Sequence, residues 1–238
     1  MRETWSRRGL LGFGITGAAI LAAPVWARNG DDSPQGAMHL SRLLTRGLSD
    51  GAQISVFRRW EISISRQGAR WIVEGRQTAV EVDAPEHISA IAQIERQRST
   101  DAKFPMYLGS GGEILVAGGD ESEADIDLAV HEAERMIADA PLSEQGKQQR
   151  QLLLGQLQSA GNSLLERLPK DLFYPRSLSD HQTRQISLPD GSVGEFELVL
   201  AASADDRTGL MQHMNRTITT RLHASEQHSS ERWELTPV

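Results

Sequence analysis

Among the side chains of this 238-residue sequence, His223 and His228 have the type and spacing to bring two ligating atoms together. If Ala224 to Gln227 form a four-residue loop, the two imidazoles face each other on the outer side of a hairpin. Ile218 then meets Trp233 inside, and Thr219 meets Arg232 outside. Two imidazoles so placed can share a divalent metal. His213 has the same parity but would stand more than ~30 Å away along an extended strand, at about 3.3 Å per residue. A structural zinc takes four ligands and a catalytic zinc three, so His223 and His228 form an incomplete metal site, with exposed hairpin histidines as the simpler alternative.

Other chemical patterns stop short in the same way. His131-Glu132 opens like a zinc-hydrolase helix, but Arg135 occupies the place of the second histidine. Asp125, Asp127, Glu132 and Glu134 lack the glycine and closing glutamate of a calcium loop. Gly109-Ser110-Gly111-Gly112 joins two expected strands, opens no helix and lacks the lysine of a phosphate cradle, so it reads as a hairpin turn. Cysteine is absent, which excludes disulfides, thiolate metal sites and a cysteine nucleophile. No pattern calls for a cofactor.

The first 27 residues read as an address. Basic Arg7 and Arg8 precede an apolar run from Leu10 to Ala23, and Val25-Trp26-Ala27 supplies small residues for cleavage after Ala27. Ser6-Arg7-Arg8-Gly9-Leu10-Leu11 resembles the twin-arginine export signal, with Gly12, Gly14 and Gly17 diluting the apolar core; Gly12 stands where such signals often carry lysine. The resemblance covers residues 1–27 and implies export to a bacterial periplasm through the export machinery. An ordinary secretory signal implies the same compartment. The run is shorter than the ~20 residues that span a bilayer, so no membrane anchor is expected after cleavage. Cleavage removes three of 25 basic and one of 32 acidic residues, taking the formal net charge from -7 to -9. Such a surface repels nucleic acid and anionic lipid.

Residues 28–37 read as a flexible lead-in, and residues 38–238 as one domain. His39 to Leu48 reads as a short helix through Leu40, Leu43 and Leu44. From Ile54 the period changes to two, with Ile54, Val56, Trp60, Ile62 and Ile64 on one face. A turn at Gln67-Gly68 would return the chain from Arg70 to Val82, pairing Ile64 with Trp71, Ile62 with Val73 and Trp60 with Gly75. That register sets Glu61 against Glu74 and Arg59 against Arg76. Pro85 opens a short helix whose Ile88, Ile91 and Ile94 should lie on this hairpin, and Phe104 to Leu108 with Ile114 to Ala117 make a second hairpin.

Ser122 to Leu168 reads as two helices, striped by Ile126, Val130 and Ile137, then by Leu153, Leu157, Leu164 and Leu168. Strands return around Pro189-Asp190-Gly191, with Gly194 as a bulge, and again through Leu210, Met214, Ile218 and Leu222 and through Trp233 and Leu235. The expected fold is α+β: a mainly antiparallel, curved sheet of seven or eight strands packed on a central helical pair. The expected function is non-catalytic, a periplasmic binding, carrier or envelope-assembly protein. It would meet an apolar ligand or an envelope protein through a groove or a sheet edge. Trp60, Trp71 and Trp233 would line the core or that groove. The alternative is a periplasmic hydrolase using carboxylates or the histidine pair.

Overall fold

A computed structural model describes residues 36–47, 51–68, 70–118, 167–188 and 191–238, together with Arg135, Leu153, Gly155, Gln156, Ser159 and Leu165. Nine strands are described: β1 (Ala37–Gly47), β2 (Gln53–Gln67), β3 (Arg70–Asp83), β4 (Met106–Leu108), β5 (Ile114–Ala117), β6 (Ser179–Ser187), β7 (Val193–Ala204), β8 (Met211–Leu222) and β9 (Ser225–Pro237). They form one antiparallel sheet in the order β5-β4-β3-β2-β1-β9-β8-β7-β6. The chain therefore lays down two meanders, and the pairing of β1 with β9 joins the first to the second.

The α+β expectation is overturned: the fold is mainly β, and among the described residues α1 (Ser89–Gln97) is the single α-helix seen from end to end. Most of Ser122 to Leu168, where the helical pair is expected, lies outside the described residues. Within it Arg135, Leu153, Gly155, Gln156, Ser159 and Leu165 are helical, and Leu153 and Leu165 are buried.

The segment read as a helix from His39 is the central strand β1. Its inward positions are Leu40, Arg42 and Leu44, all buried, so the period is two after all. An arginine at a core position hides the alternation, and Leu40, Leu43 and Leu44 then mimic helical spacing. The β2–β3 hairpin forms as expected but two residues out of register. Gln67 pairs with Arg70, and Gly68 in the turn has φ 63°. Ile64 consequently meets Val73, and Glu61 meets Arg76 instead of Glu74. This register replaces the expected like-charge pair with an ion pair, Arg76 Nη2 lying 3.6 Å from Glu61 Oε2. The same register puts Trp60 opposite Gln77, with a bulge just beyond it that sets Arg59 opposite Ala79, and Phe104 takes over the cover of Gly75. A β-carbon on Gly75 would come 2.6 Å from the Phe104 ring.

Two apolar clusters stand out on the inner face among the described residues. The larger gathers Leu40, Trp60, Ile62, Val73, Met106, Leu108, Phe173, Met214 and Trp233, so it reaches across both meanders. The Trp60 and Trp233 rings stack there at 5.9 Å. The smaller joins Ile54, Val56 and Val82 to Ala92 of α1. Helix α1 docks on a face other than the expected one: Ala92 turns inward, while Ile91 and Ile94 are 54% and 66% exposed. No bulge occurs at Gly194, which pairs in step with Ile186; the irregularity of β7 falls between Ser203 and Ala204.

Candidate functional site

The β8–β9 turn decides the fate of the histidine pair. Leu222 pairs with Ser225, leaving His223 and Ala224 as a two-residue turn in which His223 takes φ 55°. Histidine tolerates this left-handed conformation better than branched residues do. The register is four residues from the one expected: Trp233 faces Met214, Ile218 faces Ser229 and His228 faces Thr219. His223 and His228 are thus not cross-strand partners. His228 Nε2 lies 2.7 Å from Glu226 Oε1, and its Nδ1 is 3.1 Å from Thr219 Oγ1. Among the described residues no group of three or more His, Cys, Asp or Glu side chains is arranged to hold a metal ion.

The other candidates separate by burial. Trp60 and Trp233 belong to the core, and Trp60 Nε1 donates to Thr100 Oγ1 at 3.0 Å. Trp71 is partly buried, with the Arg66 guanidinium 5.7 Å from its ring centre. The three indoles therefore line no common groove. Gly109 to Gly112 turn the chain between β4 and β5, with Gly109 N donating to Glu113 O at 2.8 Å. Arg7, Arg8, His131 and the acidic residues Asp125, Asp127, Glu132 and Glu134 lie outside the described residues.

Two arginines that break the apolar alternation, with one glutamate between them, form the most deeply buried polar arrangement among the described residues. Glu231 of β9 stands directly opposite Arg216 of β8 and is 1% exposed. Arg216 Nε donates to its Oε2 at 2.7 Å, and Arg42 Nε of β1 donates to its Oε1 at 2.6 Å. Each guanidinium keeps a further donor for main chain outside the sheet: Arg42 Nη2 bonds the Leu165 carbonyl, and Arg216 Nη2 the Arg167 carbonyl at 2.8 Å. The Arg42 guanidinium also lies 5.1 Å from the Trp233 ring centre. Burial alone would raise the Glu231 pKa. Arg216 and Arg42 outweigh it and hold the carboxyl below its ordinary value, so the group is ionised. The triad spans the β1–β9 seam and holds the Leu165 and Arg167 carbonyls onto it.

Arg58 repeats the device on the first meander. Its Nη1 donates to Gln77 Oε1 and the Arg98 carbonyl, and its Nη2 to the Glu95 carbonyl and Glu95 Oε2, all at 2.9 Å. A cation thus meets the last carbonyls of α1, where the helix dipole is negative. Burial would raise the Glu95 pKa, but the hydrogen bond and charge of Arg58, with Arg98, bring it below the usual value. The signal for all of these residues is present in the sequence as a charge in phase with an apolar alternation, as at Arg58 between Val56 and Trp60.

The opposite face of β6–β9 carries an exposed counterpart. Arg221 reaches Glu195 at 2.8 Å, Glu197 at 2.5 Å and Glu226 at 2.6 Å. His181 Nε2 lies 2.9 Å from Glu197 Oε1. The Arg221 hydrogen bonds lower the pKa of Glu197 and Glu226, and the glutamates in turn raise that of Arg221.

The two sheet edges differ more than the two faces. On β5 the outward Ile114 N–H donates to the Lys170 carbonyl at 2.7 Å, so a crossing segment occupies that edge. On β6, Leu178 O accepts from Ala202 N and Leu188 N donates to Ser192 O, at 2.9 Å each. Antiparallel pairs alternate in their bonding, so the even residues of β6 bond β7. The main-chain groups of Ser179, His181, Thr183, Gln185 and Ser187 point outward, and among the described residues no strand meets them.

Among the described residues these features define a mainly-β protein with one sheet, two meanders and an edge at β6 that no strand meets. No protein-family model matches the chain, and no match was found among curated proteins.

Proposed function

We propose that this chain is an exported periplasmic protein that acts by binding, taking an extended polypeptide onto the free edge of β6. The observation that carries this reading is the outward row of main-chain groups on a nine-residue strand, which no strand meets among the described residues; local side chains reach it at Ser179, through Ser177 Oγ, and at the Thr183 carbonyl, through Arg184 Nη1. Such a row binds by strand addition: the main chain supplies affinity and the flanking side chains choose the partner. The arrangement of the buried polar groups supports a binding role over hydrolysis. Arg42, Arg58, Arg216 and Glu231 spend their hydrogen bonds on holding the covering segments. The signal-like residues 1–27 support the compartment.

Thr183→Pro tests the reading. Proline removes an outward N–H that the β6–β7 ladder does not use, so the fold should survive. In wild-type protein held in periplasmic extract, the amides of His181, Thr183 and Gln185 should exchange slowly; in the variant the remaining two should exchange at the rate of open strand. Fast exchange of the wild-type edge under those conditions would reject strand addition. Intact-mass measurement of the exported protein should place its N-terminus at Arg28.

A further inference from the structure

We infer that the strand received at β6 is β6 of a second copy, paired antiparallel about a two-fold axis through Gln182. This rests on the edge-binding reading above and names its partner. A two-fold perpendicular to the sheet keeps inner positions opposite inner positions, so the permitted registers differ in steps of two residues and can be compared by their side-chain pairs.

The register centred on Gln182 sets Asp180 opposite Arg184 of the second copy, and by symmetry Arg184 opposite its Asp180. Gln182 meets its own mate, and amide meets amide. Leu178, 55% exposed in the single chain, falls opposite Ile186. Every inner-face pair is complementary: apolar with apolar, anion with cation, amide with amide. Centring on Thr183 instead would oppose Asp180 to Ile186 and leave both charges without a mate.

The main-chain geometry agrees. Even residues of β6 bond β7, so in the new pairing they occupy the non-hydrogen-bonded sites, where facing side chains stand closer. The charged pair thus takes the sites of shorter reach. The outward residues supply the ladder: His181 exchanges hydrogen bonds with Thr183 of the second copy, and Ser179 with its Gln185, displacing the Ser177 hydroxyl that meets the Ser179 main chain in the single chain. In the single chain, Arg184 Nη1 donates to the Thr183 carbonyl at 3.1 Å, and Gln182 Nε2 donates to Asp180 Oδ2 at 2.6 Å. The first of these satisfies an outward carbonyl that the incoming His181 N–H would take over, which lets Arg184 turn to the facing Asp180.

Sedimentation equilibrium of the purified mature chain, combined with a charge swap, tests the inference. The wild type should show a reversible monomer–dimer equilibrium. Arg184→Asp places two Asp–Asp oppositions across the axis and should weaken dimerisation roughly tenfold or more. Asp180→Arg combined with Arg184→Asp recreates both opposite-charge pairs and should restore it. Matching thermal midpoints of the monomers would show that the variants fold. A dimer indifferent to both changes would overturn the register. A wild type that stays monomeric at all attainable concentrations would overturn the second copy as partner. Slow exchange of the β6 edge in extract, abolished by Thr183→Pro, would in that case leave the edge-binding reading standing with another partner.

Discussion

Arg216 and Arg221 stand five residues apart on β8, each directly opposite a glutamate of β9, Glu231 and Glu226. Their registers are equivalent and their faces are not. Arg216 and Glu231 are buried, share their charges with Arg42 and bind main-chain carbonyls of a segment that crosses the sheet. Arg221 is half-buried and Glu226 exposed, and they gather further glutamates and a histidine. The difference teaches that the same cross-strand ion pair is a packing element on one face and a solvated decoration on the other. Water screens and competes for the outer pair, while the inner one has no alternative partner once the protein is folded.

The sharpest way to break this comparison is Glu231→Gln. It leaves two buried guanidinium groups without their anion and should lower unfolding stability by about 3–5 kcal/mol in urea titrations at pH 7. The effect is pH-dependent with a definite sign. The folded-state pKa of Glu231 lies below its ordinary value of 4.5, so the carboxylate's contribution is fully present above that pH. It is lost as pH falls through the folded value, and the gap between wild type and variant should narrow there. A gap independent of pH would mean that the carboxylate is not the stabilising species.

An intermediate effect is expected at Arg58, which is buried but whose partner Glu95 is partly exposed. Arg58→Met should cost about 2 kcal/mol through the carbonyls of Glu95 and Arg98 left without a donor. The loss should be local, appearing first as faster amide exchange in α1. The smallest effect is expected at the exposed cluster. Arg221→Met should shift the unfolding midpoint least at moderate salt, because water still reaches every pair it breaks. A shift as large as that of Glu231→Gln would collapse the distinction between the faces.

The strands were legible where apolar residues alternate without interruption, as at Trp60, Ile62 and Ile64 of β2. They were hidden where the core admits a charge. Arg42 turned β1 into an apparent helix, and Arg216 and Glu231, both buried, drew no reading from the sequence although they share the parity of the apolar residues beside them. Hairpin registers were legible only in parity. Gly68 marked a turn but not which residues flank it, and His223 gave no turn signal of the Asn-Gly kind, so the last hairpin came out four residues away. The histidine pair went with that register. The apolar stripe of α1 pointed to the wrong face because Arg58 draws Glu95 and the end of the helix to the sheet, leaving Ile91 and Ile94 outside. The open β6 edge had no local signal, since a strand becomes an edge only through what fails to lie beside it.

By itself the sequence determined which stretches alternate and where glycine or proline interrupts them, because pleat and turn preferences act over a few residues. It also carried the signal-like character of residues 1–27. Only the tertiary structure decided that β1 and β9, nearly the whole chain apart, lie side by side. That pairing brings Arg42 to Glu231, buries three charges together and leaves β6 at the rim. The physical reason is that an in-phase charge is affordable only if a partner from a distant strand meets it. No local pattern encodes that meeting.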